Sequence, residues 1–122
     1  MGVHFMLPFG GWHVNKQALH DLVYISLFEI QGVAKTVSTL TERISKLIDK
    51  GSLENGIAIE CKDGSLVIKV RVALFENTTI FATCERIQEH IKKVIESMTG
   101  MTVTAIHVRV AQIKKTRPLA SL

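Results

Sequence analysis

The chain has 122 residues, 47% of them hydrophobic and 21% charged, with a formal net charge of +4. That length holds one domain with a modest core and leaves no room for a second. No apolar run reaches about eighteen residues, and the opening MGVHFMLPFGGW lacks a basic start, so neither a spanning helix nor a secretory signal is expected. The expectation is a cytoplasmic chain whose positive balance favours acidic partners, without choosing among nucleic acid, anionic lipid and acidic protein.

Met1 to Gly10 is apolar but interrupted by Pro8 and by the Gly10-Gly11 pair, and it reads as a terminal arm or a short edge segment. Its Phe5, Leu7 and Phe9, with Trp12 just beyond, are free to dock on a neighbour or to fold back on their own domain. Trp12-His13-Val14 reads as a short strand. Asn15 then caps a helix from Lys16 to about Gln31, with Leu19, Leu22, Val23, Ser26 and Ile30 on one face and Gly32 as its stop. Val33 to Ser38 is a connector rich in β-branched residues. Leu40, Ile44, Leu47 and Ile48 mark a shorter amphipathic helix over about Thr39 to Lys50, and Gly51 to Gly56 is the turn out of it.

Ile57, Ile59 and Cys61 alternate with Ala58, Glu60 and Lys62, and after Asp63-Gly64 the alternation resumes through Leu66, Ile68, Val70, Val72 and Leu74. An Asp-Gly between two alternating runs signals a hairpin. A long helix follows, from Thr78 to a stop at Gly100, with Asn77 or Thr78 as its cap. Ile80, Cys84, Ile87, Ile91, Val94, Ile95 and Met98 draw its apolar stripe, and Glu85, Arg86, Glu89, Lys92, Lys93 and Glu96 its solvated face, where Glu89 is spaced to meet Lys92 and Lys93. The period then drops to two, with Ile106, Val108 and Val110 alternating with His107 and Arg109 in a closing strand.

One sheet covered on one side by helices buries every one of these stripes. The fold expected is therefore α+β, a two-layer α/β sandwich with a small, mostly antiparallel sheet. Its other side stays open and carries Glu60, Lys62, Lys69, Arg71, His107 and Arg109, a mostly basic set. Residues 114–122 form a basic C-terminal tail.

The catalytic and metal signals are weak. His4, His13, His20, His90 and His107 lack ligand spacing with a Cys, Asp or Glu partner and read as surface or rim residues. Glu85 and Glu89 lie one turn apart on a solvated helix face, without the cleft that acid-base work needs. Cys61 and Cys84 read as two reduced, packed thiols, and burial on the stripe predicts an inert Cys84. Gly10-Gly11 has no long strand before it, so phosphate-loop and dinucleotide patterns fail. No metal, cofactor or small-molecule substrate is expected. Nucleic-acid binding has the basic side and the tail in its favour. Against it, the exposed strand positions carry no aromatic platform, and Met98-Thr99-Gly100-Met101 lacks the paired glycines of a KH-type loop.

Ile87-Gln88-Glu89-His90-Ile91-Lys92-Lys93-Val94-Ile95-Glu96-Ser97-Met98-Thr99-Gly100, followed by Val103 and Ile106 to Val110, resembles the closing signature of the alkaline shock proteins, the Gls-type envelope stress response family of mainly Gram-positive bacteria. Leu27-Phe28-Glu29-Ile30-Gln31-Gly32-Val33 is similar to that family's first-helix ending, and Gly56-Ile57-Ala58-Ile59-Glu60 through Leu74 to its hairpin, in matching order from about Gly11 to Ala111. The chain departs from the pattern at Phe81, where a proline is usual, in the turn Glu76-Asn77-Thr78, and in its basic charge. The resemblance implies a cytoplasmic domain over residues 11–113, with no enzymatic activity and a part in envelope homeostasis and alkaline stress. It further implies self-association and, for some members, recruitment to the membrane by a separate, membrane-anchored protein. It carries no catalytic residues over. The interaction surface expected is Phe5, Leu7, Phe9 and Trp12 with Lys62, Lys69, Arg71, His107 and Arg109; the alternative reading is a nucleic-acid-binding module on the basic sheet side.

Overall fold

The computed structural model describes residues 2–7, 9–37, 53–54 and 56–115, with side chains described for 9–11, 13–37 and 56–115. The expected helix over Thr39 to Lys50 and the end of the tail, 116–122, lie outside the described residues.

Strand β6, Ser65–Phe75, is the spine. Its even positions Leu66, Ile68, Val70, Val72 and Leu74 are all buried, while Lys69 on the opposite side is exposed, as a period of two requires. Strand β5, Ile57–Lys62, precedes it in a hairpin whose last pair, Lys62 with Ser65, leaves Asp63 and Gly64 as the loop. Both loop residues have positive φ, 53° and 79°, as a tight hairpin turn of this length demands.

Because β6 is longer than β5, the edge it shares with β5 has room for a second partner. Strand β3, Val33–Thr36, takes it, pairing antiparallel with Val72 to Leu74. This corrects the reading of Val33 to Ser38 as a connector: a four-residue strand interrupted by a bulge at Ala34 shows no usable alternation. Within the expected turn Gly51 to Gly56, Leu53–Glu54 forms the short strand β4 against β5. Gly56 sits where β3 and β5 meet. Arg71 donates its N–H to the Gly56 carbonyl at 2.9 Å, and Val37 donates its N–H to the Arg71 carbonyl at 2.9 Å.

Strand β7, Thr102–Lys114, runs along the whole of the other edge of β6 and parallel to it. A parallel neighbour needs a crossover, and helix α2, Ile80–Thr99, supplies it. The sheet is thus mostly antiparallel with one parallel pair. Lys114 belongs to β7, paired with Phe75, and is not part of a frayed tail. Gly100 ends α2 at φ 74°, and Thr99 locks the exit by donating to the Ile95 carbonyl and accepting from the Met101 N–H.

Helices α1, Lys16–Phe28, and α2 cover one face of the sheet and complete the two-layer α+β sandwich. Leu19, Val23 and Leu27 of α1 and Ile87, Ile91 and Ile95 of α2 meet the inward side chains of β5, β6 and β7. Helix α1 stops three residues short of the expected Gln31, because the N–H groups of Glu29 and Ile30 turn back onto Ser26 and Leu27 in a tightened last turn. Neither Asn15 nor Thr79, the residues that precede α1 and α2, makes a side-chain cap bond; Asn77 and Thr78 precede the cap position of α2.

On α2 the buried stripe is Thr83, Ile87, Ile91, Ile95 and Thr99, a strict four-residue step. Ile80 and Met98 of the expected stripe stay 48% and 64% exposed, off the line of buried residues, although Thr99 beside Met98 is buried.

Residues before α1 depart from the single-sheet expectation. Gly2–Leu7 and Gly10–Asn15 are strands β1 and β2, paired antiparallel in a two-stranded ribbon that shares no ladder with the five-stranded sheet. The apolar segment is therefore one arm of a hairpin. Its partner strand includes Gly10 and runs straight into α1.

Candidate interaction surface

The open face of the sheet is built by strand register. Lys69 pairs with His107 and Arg71 with Arg109 across the parallel ladder, so four cationic or ionisable side chains stand two by two on one surface. Lys35, from the unrecognised strand β3, pairs with Ala73 and joins them. Glu60 and Lys62 lie on the same face, exposed, on β5. Ala58 and Gly56 offer no bulk between the cations, which leaves a shallow hollow of about 280 Å³ lined by Gly56, Ala58, Lys69, Arg71, His107 and Arg109. No carboxylate forms an ion pair with any of these cations among the described residues. Like charges side by side on neighbouring strands repel, so this face favours an anionic partner.

The other side of β7 is tied to α2. Gln88 donates Nε2 to the Ile106 carbonyl at 2.9 Å; Lys92 donates Nζ to the Val103 carbonyl at 3.2 Å; and Glu96 accepts from the Val103 N–H at 2.9 Å. Lys92 and Glu96 also pair directly at 2.7 Å. Lys92 therefore meets Glu96 one turn later, whereas the expected partner was Glu89. The Lys92 hydrogen bond, then the Val103 N–H, hold the Glu96 carboxyl below its ordinary pKa. A depressed folded pKa gives stability that is present above the unfolded pKa and is lost as pH falls through the folded value. Glu96→Gln is expected to cost a little stability at neutral pH and to shallow the acid limb of a urea-midpoint against pH curve. An unchanged acid limb would count against the clamp.

The expected apolar contributors fall in different places. Phe9 lies at the turn of the β1–β2 ribbon, fully exposed. Phe5 pairs with Trp12, and Leu7 with Gly10, in the ladder, and their side chains lie outside the described residues. Sequence reading missed a second exposed apolar group on α1, Tyr24, Ile25 and Phe28, with Tyr24 and Phe28 edge to face at 4.9 Å. The spacing i, i+1, i+4 was available, but a fuller stripe through Leu19 and Val23 competed with it. Phe81, where the resemblance led to expect proline, is 74% exposed at the start of α2.

His20 is buried in α1, which corrects its placement at the rim, and half-buried His90 contacts the Glu29 carboxylate at 2.7 Å, linking the end of α1 to α2. Cys61 is exposed on β5, so only Cys84 fits the packed-thiol expectation; it is half-buried, and burial raises its pKa. Both thiols are free. Among the described residues no three His, Cys, Asp or Glu side chains converge as metal ligands, and no helix is long and apolar enough to cross a membrane.

Three comparisons bear on the chain. The model of the alkaline shock protein 23 family, described as having a cell envelope-related function, matches residues 9–115. Among solved structures, a MamM-CTD of residues 215–293 superposes with a TM-score of 0.50 at 8% identity, covering 80% of this chain and 99% of that one. A MamM-CTD variant gives 0.50 at 9% identity with the same coverage, and a manganese form of a further MamM CTD variant gives 0.50 at 8%. At that identity the likeness is one of fold alone. No curated protein matches.

Proposed function

The chain belongs to the alkaline shock protein 23 family, of cell envelope-related function, and from that membership we propose a non-enzymatic interaction protein of the alkaline and envelope stress response. It works in the cytoplasm by self-association and by binding protein partners, one of them membrane-anchored and able to bring it to the membrane. The observation that carries the reading is the family match over residues 9–115. Exposed apolar side chains at the ribbon turn and along α1 support it, since clustered exposed aromatics mark association sites.

The test is the native mass by light scattering coupled to gel filtration, at low and high salt, for the full chain and for a chain lacking Met1 to Gly10. The deletion removes β1 and leaves Val14, which packs against the core, and the five-stranded sheet in place. An oligomer that persists in high salt and loses mass on deletion is the expected result. A monomer at every salt refutes self-association, and an undiminished mass after deletion refutes the ribbon as its site.

A second reading is favoured by one observation, the basic side chains Lys69, Arg71, His107 and Arg109 on the open face, none of them in an ion pair among the described residues. It makes that face a nucleic-acid site. In the same experiment it predicts co-elution with nucleic acid, read from the absorbance ratio and shed as salt rises.

A further inference from the structure

Among the described residues, strand β7 is hydrogen-bonded to a neighbouring strand on one side only. In β6, Arg71 directs both its N–H and its carbonyl toward the β3–β5 side, so by alternation Ile68, Val70 and Val72 turn theirs toward β7. Their register partners Ile106, Val108 and Val110 then point their own N–H and carbonyl groups away from the sheet. At Ile106 this is seen directly, because its carbonyl accepts from Gln88. Side chains of α2 satisfy both outward groups of Val103 and the carbonyl of Ile106, and the cover ends there. Among the described residues, nothing bonds the outward groups of Val108 and Val110.

Such an edge is a template for another strand, and its two faces state which strand fits. On the open face His107 and Arg109 are exposed, with Lys69 and Arg71 behind them. On the helix face Val108 and Val110 are half-buried against the core, and Ile113 is exposed further along. A strand laid here meets cations with alternate side chains and apolar surface with the others.

We propose that the outer edge of β7 at Val108 and Val110 docks an extended acidic segment of another protein, which adds to the sheet as a further strand. This rests on the partner-binding half of the proposed function. A second copy of β7 is disfavoured because it would set another strand bearing His107, Arg109 and Lys114 beside this one. No stretch of this chain alternates carboxylates with apolar residues, so the segment comes from elsewhere. Free main-chain groups suit a peptide, which brings its own N–H and carbonyl groups, whereas no Phe, Tyr or Trp lines the hollow to stack a base.

The experiment measures binding of the full chain to a short labelled peptide alternating Glu and Val, to its Lys and Val twin, and to a single-stranded oligonucleotide. The acidic peptide is expected to bind about tenfold more tightly than the basic one at low salt, and to protect the Val108 and Val110 amides from hydrogen exchange. Val110→Pro removes an outward N–H that takes no part in the β6 ladder, and should weaken the peptide about tenfold. Arg109→Glu should reverse the preference between the two peptides. If Val110→Pro does not fold, the exchange measurement and Arg109→Glu decide. Equal binding of both peptides, no binding, or unchanged exchange at Val108 and Val110 overturns the proposal. So does oligonucleotide binding that Arg109→Glu abolishes and Val110→Pro leaves intact. A native mass that falls in Val110→Pro while the peptide does not bind also overturns it, making the edge a self-contact. Because mass and peptide affinity are read separately, loss of this site leaves self-association standing or falling by itself.

Discussion

Gly56→Ala is expected to destabilise the fold by about 3 kcal/mol or more. Two costs combine. Gly56 holds φ at +76°, where a side chain strains the backbone. A Cβ there would also stand 2.5 Å from the Val37 carbonyl oxygen and 3.1 Å from that of Arg71. Both obstacles are backbone atoms, and the Arg71 carbonyl is the one that accepts the Val37 N–H, while Arg71 donates its own N–H to the Gly56 carbonyl at the same junction. Relief would require that junction to open. Gly64→Ala is the control: φ is +79° but nothing lies within 4 Å of its Cβ, so only the backbone cost of about 1 kcal/mol applies. Urea unfolding of the two variants separates strain from collision, and equal midpoints would refute the close approach at Gly56.

Ile91→Ala is expected to cost about 2–5 kcal/mol, since Ile91 is fully buried at the centre of α2 and its removal leaves a cavity between helix and sheet. Ile80→Ala and Met98→Ala, on the stripe that sequence periodicity draws through the same helix, should each stay within about 0.5 kcal/mol. The contrast decides between two descriptions of α2. A stripe that runs through Ile80 and Met98 would make all three costly, whereas the packed line through Thr83, Ile87, Ile91, Ile95 and Thr99 singles out Ile91. A loss at Met98 comparable to that at Ile91 would mean that the helix end is covered by something the isolated chain does not hold.

Elements with long periodic runs and clear stops were legible from residues alone. The hairpin at Asp63-Gly64, the long helix closed by Gly100 and the alternation of Ile106, Val108 and Val110 each announce themselves within a few residues. Strand β3 did not, because four residues with a bulge carry too little pattern and its partner, Val72 to Leu74, is far away in sequence. The ribbon did not either. Met1 to Gly10 reads as an arm because its partner strand shows in the sequence as only three residues, Trp12 to Val14, too few to display a ladder.

The membership of Lys69, Arg71, His107 and Arg109 in one face follows from the period of two, and the sequence by itself determined it. It determined as well the buried positions of β6 and of the middle of α2, and the two-layer class, because stripes of period two and 3.6 have to bury one another. On α1 it found Leu19, Val23 and Ser26 but not the fully buried Leu27, and on β5 it turned the exposed Cys61 inward. Only the tertiary structure decided that β7 lies parallel to β6, which sets Lys69 beside His107 and Arg71 beside Arg109. It alone decided that α2 covers the edge of β7 as far as Ile106 and no further. The physical reason is that side-chain periodicity is local, whereas strand order and edge cover depend on which distant backbone groups meet, and every residue presents the same N–H and carbonyl.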